Sequence, residues 1–220
     1  FIADAAHELR TPIMGLSIQS QLLRRAATAD ERERILAQIH AGTTRLGHLA
    51  EQLLTLARVE PDAQTAAFAP VDLAALCRSV VADRARVADA HRIDLGAIVS
   101  SPVIAAGHAD TLRVLLNNLV DNAIRYAGDG ARVDVCARND GTTPVLEVAD
   151  DGLGIPEAER AHVWERFYRG EGAQAATSSG SGLGLSIVKR IAEQHRATVA
   201  LATTRGGRGL TVSVRFPDPS

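Results

Sequence analysis

Apolar residues recur every seven positions through the first sixty residues and then stop doing so. That change constrains the fold more than any other feature of the chain. Ile2, Leu9, Leu16 and Leu23 form one seam of the first segment, and Ala6 and Ile13 mark a second. In the next segment Ile39, Leu46 and Leu53 alternate with Ile35, Leu49 and Leu56. Residues seven apart fall on one stripe of a helix, so each segment is expected to be a helix with a narrow apolar stripe. Gly42 and Thr43 soften the middle of the second. Between the segments, Thr28 and Asp30 supply a turn and an N-cap. A helical hairpin is the expected outcome. Two helices with narrow seams do not bury them fully alone, so a dimer forming a four-helix bundle is expected. The alternative is an antiparallel pair packed on the next domain of the same chain.

Residues 61–70, rich in Ala and bounded by Pro61 and Pro70, read as a linker. Beyond them the pattern is mixed. Val71 to about Ala90 is predicted helical, Arg92–Val99 and Pro102–Ala106 short strands, and Asp110–Ala127 a long helix N-capped by Asp110. Residues 132–139 and 144–149 alternate like a strand pair around Asn139-Asp140-Gly141. Residues 182–195 are predicted helical, and 197–204 with 209–216 form a closing hairpin through Arg205-Gly206-Gly207. Strands and helices without regular alternation predict an α+β layer, a mixed sheet covered by helices. The expected division is 1–62 for the hairpin and 63–220 for the second domain.

Composition narrows the function. The 220 residues carry a net charge of −2, which gives no support for a nucleic-acid partner. Two cysteines, Cys77 and Cys136, do not make a disulfide framework and point to a reducing compartment. No apolar run approaches the roughly 18 residues needed to span a bilayer, and no signal peptide is evident. The chain starts at Phe1, inside what reads as a continuing helix, and is expected to be a fragment.

Chemistry-bearing residues cluster in five places. His7 and Thr11 are four apart and share a helix face, with Glu8 beside the imidazole. His7 lies one position off the Ala6–Ile13 seam and so should face outward. Pro12 has no N–H for the carbonyl of Glu8, which predicts a kink just past His7. On the 110–127 helix, Asn118, Asn122 and Arg125 share a stripe opposite Leu112, Leu116, Leu119 and Ala123. Amide oxygens suit Mg²⁺ and a guanidinium suits phosphate, although an ordinary solvated helix face has the same look. Asp150-Asp151-Gly152-Leu153-Gly154-Ile155 ends a strand. A carboxylate there can accept from an exocyclic amine such as adenine N6, while the glycines let backbone approach a flat base. Gly180-Ser181-Gly182-Leu183-Gly184-Leu185 opens a helix and offers N–H groups to phosphate, without the Gly-Lys-Ser/Thr ending of a Walker A loop. The small-residue run 170–179 before it is expected to be a mobile cover, with the segment 164–169 supplying aromatics to anchor it and an arginine to reach phosphate, unless that segment is a short core-packing helix.

In this order the motifs resemble the catalytic core of a bacterial sensor histidine kinase. His7–Pro12 resembles the family's H box, Asn118–Ala127 its N box, and Asp150–Ile155 its first glycine box. Glu165–Gly170 resembles its F box and Gly180–Leu185 its second glycine box. The match covers essentially the whole chain. It implies a dimeric helical hairpin followed by a Bergerat-type α/β sandwich of the GHKL ATPases. His7 would be the phosphoacceptor, Glu8 its orienting carboxylate, and Thr11 the residue that positions water in the phosphatase reaction. Asn122 would be the Mg²⁺ ligand. Asn118, Arg125, Tyr126 and Arg169 would contact the nucleotide, Asp150 would read adenine, and Gly152, Gly154, Ile155, Gly182, Leu183, Gly184 and Leu185 would line the ATP site. The implied partners are a second copy of the chain and the receiver domain of a response regulator. The implied place is the cytoplasmic side of a bacterial inner membrane, attached only through upstream segments. Arg196-Ala197 after His195 departs from the glycine common in the family. A GHKL ATPase that drives conformational change would explain the nucleotide motifs but not residues 5–12, and the intact Asn, Asp and Gly positions argue against a non-enzymatic dimerisation module with a degenerate site.

Overall fold

The computed structural model describes residues 2–58, 67–99, 102–170, 180–204 and 207–218, without the side chains of residues 2–5, 7, 8, 57 and 58. The chain divides into two compact units, Phe1–Arg58 and Val59–Ser220.

The first unit is a helical hairpin, α1 (Ile2–Arg25) and α2 (Ala29–Arg58). Thr28 caps α2. Its Oγ1 accepts from the Glu31 N–H at 3.2 Å, and the Glu31 carboxylate reaches back to accept from the Ala27 N–H at 3.1 Å. This reciprocal pair is close to a capping box. Asp30 lies in the first turn, where its charge meets the positive end of the helix. Ile35, Leu49 and Leu56 are buried. Gly42 is a contact point rather than a soft spot: a Cβ there would sit 2.7 Å from Leu16 Cδ2. Helix α1 continues through Pro12 without a break, since the lost hydrogen bond is one among many in a 24-residue helix. Ile13, Met14, Ile18 and Leu22 on α1, with Leu36 and Leu54 on α2, remain half-exposed or more. The hairpin therefore buries one seam and leaves a second open.

The second unit is a two-layer α/β sandwich. Its main sheet has five strands: β2 (Asp94–Val99), β4 (Arg132–Asp140), β5 (Thr143–Asp150), β6 (Thr198–Thr203) and β7 (Leu210–Arg215), in the order β2-β4-β5-β7-β6. Only β2 and β4 run parallel, so the sheet is mixed. Three helices pack on it: α3 (Leu73–Ala90), α4 (Ala109–Ala127) and α5 (Gly184–Gln194). Strand alternation decides the buried face. Val133, Val135 and Ala137 are buried, whereas Arg132, Asp134, Cys136 and Arg138 are not. Leu112, Leu115, Leu116, Ile187 and Ile191 complete the core. Burial pushes the Cys77 thiol up to about 12, which makes it an inert packing group.

Two local expectations fail. A short strand, β1 (Ala69–Asp72), pairs with β3 (Ile104–Gly107) across the end of the stretch read as linker and the first two residues of the expected helix, while residues 61–66 of that linker lie outside the described residues. Pro70 disguises the strand, but a two-stranded edge tolerates its missing donor. Asp72 then caps α3, accepting from the N–H groups of Ala74 and Ala75. Asp110 does not cap α4. His108 holds that position in an extended conformation without a side-chain cap, and Asp110 sits in the first turn. The reason is tertiary. The His108 N–H donates to His195 Nε2 at 3.1 Å, and His195 Nδ1 donates to the Ile191 carbonyl at 2.7 Å. His195 thus ties the end of α5 to the start of α4, under the stacked ring of Phe68.

Candidate active site

The amphipathic pattern of α4 puts Leu112, Leu116 and Leu119 on the sheet and leaves Asn118, Asn122 and Tyr126 half-buried beside the second glycine-rich segment. Asn118 Nδ2 donates to the Val114 carbonyl at 2.8 Å, one turn back. Asn122 faces Gly184 at the start of α5: a Cβ on Gly184 would fall 3.0 Å from Asn122 Nδ2 and 3.1 Å from Oδ1. Asp121, between them in sequence, turns the other way and takes both Arg84 donors at 2.7 and 3.2 Å, a tie between α3 and α4.

Gly180 gathers three more of the expected residues. A Cβ on it would lie 2.7 Å from the Tyr126 hydroxyl, 3.8 Å from an Arg125 guanidinium nitrogen and 3.9 Å from Arg169 Nε. Two cations and a phenol therefore surround a bare backbone. Gly182, with φ of +70°, packs on Phe167, and the Phe167 N–H donates to the Gly182 carbonyl at 2.9 Å. This joins the Glu165–Gly170 segment to the entry of α5. Leu183 is fully buried and its N–H is taken by Ser181 Oγ at 3.2 Å, so it anchors the segment through the core. The first-turn N–H groups of α5, at Gly184 and Leu185, have no intrahelical acceptor by construction.

Asp150 closes the other end, at the tip of β5 and 7% exposed. Its Oδ1 accepts from the Gly152 N–H at 3.0 Å and from the Leu210 N–H at 3.2 Å. Burial raises its pKa, and those two N–H bonds pull it back in part. Gly152 lies against the Tyr126 and Ala127 backbone, which brings this loop onto the end of α4. Gly154 packs on Gly209, Ile155 is half-buried, and Leu153 projects into solvent at 76% exposure. A buried carboxylate thus adjoins the end of α4 through Gly152, an amide faces the first residue of α5, and two guanidinium groups flank Gly180 just before that helix.

Sequence reasoning missed Gly209 and Leu210 as neighbours of Asp150. Their only mark was a hairpin turn. Residues 171–179, the expected cover, lie outside the described residues. Thr11 is exposed on α1, while the His7 and Glu8 side chains lie outside the described set. No group of three or more metal-ligating His, Cys, Asp or Glu side chains occurs among the described residues. A divalent ion here would depend on an amide and phosphate oxygens, which suits Mg²⁺.

Residues 107–220 match the model of the histidine kinase-, DNA gyrase B-, and HSP90-like ATPases. The chain belongs to this ATPase family. Residues 1–62 match the His Kinase A (phospho-acceptor) domain, and the two together are the core of a sensor histidine kinase. The sensor protein kinase PmrB of Pseudomonas aeruginosa is 39% identical over 98% of this chain, which spans 44% of that relative's length. The full-length ShkA structure in complex with AMPPNP is 29% identical, with a TM-score of 0.68 over 98% of this chain and 45% of that one. The histidine kinase ThkA in complex with the response regulator TrrA shares the fold, with a TM-score of 0.79 at 20% identity over 99% of this chain and 60% of that one. No helix among the described residues is long and apolar enough to cross a membrane.

Proposed function

We propose that this kinase core transfers the γ-phosphoryl group of ATP to His7, passes it to an aspartate of a response-regulator receiver domain, and also dephosphorylates that partner. The observation that carries the proposal is the gathering of Arg125, Tyr126 and Arg169 around Gly180, with Asn122 beside Gly184 and the Asp150 loop against the end of the same helix α4, in a chain whose first 62 residues match a phospho-acceptor domain. Relatives supply supporting context: ShkA holds AMPPNP and ThkA holds a response regulator. Because ATP is the proposed donor, the core is proposed to lie on the cytoplasmic side.

Phosphoryl transfer depends on alignment and charge neutralisation. Arg125 and Arg169 flank Gly180, where their charges offset phosphate, and the Gly184 and Leu185 N–H groups of α5 add the positive end of a helix. Asn122 is the proposed Mg²⁺ ligand, and the ion would neutralise phosphate charge when bound. Asn118 and Tyr126 line the same wall, and Asp150 selects the base. His7 must be neutral to attack, which its reference pKa of about 6.5 allows near pH 7. A hydrogen bond from the other ring nitrogen to Glu8 would hold the tautomer and stabilise the developing charge. Thr11, one turn on, is proposed to orient water for the reverse reaction. The half-exposed apolar seam of the hairpin is proposed to pair with a second copy as a four-helix bundle.

Incubation with γ-labelled ATP followed by acid and alkali treatment tests the assignment. Acid-labile, alkali-stable label that disappears in His7→Gln, with nucleotide binding intact, is the expected result. Label persisting in that variant would move the acceptor elsewhere.

A further inference from the structure

Leu210 and Gly209 sit about 60 residues from Asp150 in sequence, on a hairpin that no nucleotide motif includes, yet they touch it directly. The Leu210 N–H donates to Asp150 Oδ1 at 3.2 Å, the same oxygen that takes the Gly152 N–H at 3.0 Å. Both backbone donors thus fall on one carboxylate oxygen and neither on Oδ2. Two fixed donors on one oxygen set the plane of the carboxylate and leave the other oxygen to accept from a ligand.

Gly209 makes this approach possible. Its φ is +81°, and a Cβ on it would overlap the Asp150 carbonyl oxygen and lie 2.7 Å from Asp151 Cα. Gly154 presses from the other side, close enough that its own Cβ would lie 2.8 Å from the Gly209 carbonyl oxygen. Any side chain at 209 must push β7 away from the tip of β5. The hairpin is itself braced, since Thr204 and Thr211 are joined through their hydroxyls at 3.0 Å and the Gly207 N–H donates to the Thr204 carbonyl.

We propose that Leu210, through its N–H, and Gly209, through its close approach, are positioning residues for base selection: they aim Asp150 Oδ2 at the exocyclic amine of adenine. This rests on Asp150 reading the base. Adenine's exocyclic amine can donate to an aimed carboxylate, whereas inosine carries a carbonyl there and has no such bond to lose, so losing the aim weakens the adenine nucleotide and leaves the inosine one unchanged.

Calorimetric titration of the full chain with ADP and with IDP, both with Mg²⁺, tests this. Leu210→Pro removes the N–H at the first residue of a strand, a position that tolerates proline. Gly209→Ala displaces the whole segment. Both variants should lose at least about tenfold of the preference for ADP over IDP, the scale of a hydrogen bond to a charged group, while IDP affinity stays within about twofold. Asp150→Asn serves as the control. If it keeps the wild-type preference, the base-reading role of Asp150 fails. If it abolishes the preference while Leu210→Pro and Gly209→Ala keep it, the positioning proposal alone is overturned. Equal loss of ADP and IDP, or loss of cooperative melting in both variants, also overturns it, because the hairpin would then be supporting the fold and not the carboxylate.

Discussion

The hairpin leaves Ile18 and Leu54 58% exposed, whereas the sandwich buries Leu112, Leu115 and Leu116 completely. The same residue types thus meet two different ends. A pair of helices has one shared seam and too little surface to close a core around the rest. A sheet covered by three helices has an inside. The sandwich closes a core of its own, and the hairpin leaves an apolar seam open. The proposed division of labour follows the same line. The proposed nucleotide chemistry would lie on the unit with a closed core, and the proposed phosphoacceptor on the unit with an open seam, where association would add stability.

Breaking the sandwich should cost the most. Leu116→Ala removes a fully buried side chain, and about 2–5 kcal/mol of unfolding free energy should go with it, at any protein concentration. Urea denaturation at two concentrations checks both statements, and a concentration-dependent midpoint would contradict the self-sufficiency of this unit. Next comes the open seam. Ile18→Glu with Leu22→Glu should weaken self-association at least about tenfold by sedimentation while leaving nucleotide binding unchanged. An unaltered dimer would put the contact on another face.

Acid should then act on the sandwich through His195. Burial lowers its pKa below the usual 6.5 or so, with the Ile191 carbonyl opposing that shift. Above about pH 6.5 both folded and unfolded chains hold it neutral, and its full contribution is present. As the pH falls through that value the unfolded chain takes the proton first, so stability declines until the folded pKa is reached. Protonation would also remove the acceptor that His195 Nε2 offers to His108. Melting of wild type and His195→Gln across pH 5–7.5 should show the slope in the first and a flatter line in the second. The smallest effect belongs to the hairpin again. Thr28→Ala loses one cap and should cost about 1 kcal/mol, read as a modest drop in helical signal on warming.

Much of the architecture was legible in the sequence because it is local. Seven-residue spacing marks a hairpin, alternation around Asn139-Asp140-Gly141 marks two strands, and a spacing of four puts Asn118 and Asn122 on one stripe. The misreadings have a common cause. Asp110 looked like a cap because caps are read from neighbours, but the start of α4 is set by a bond between residues 87 apart. Pro70 hid β1 because its partner strand begins more than thirty residues on.

The sequence alone determined the two kinds of element, the family, and which residues are equipped to meet phosphate, metal and base. Tertiary structure decided which apolar seam is covered, that Gly180 brings Arg125, Tyr126 and Arg169 together, and that the Leu210 N–H fixes the Asp150 carboxylate. The reason is physical. Periodicity records which way a side chain points from its own element, while a contact between distant segments leaves no period to read.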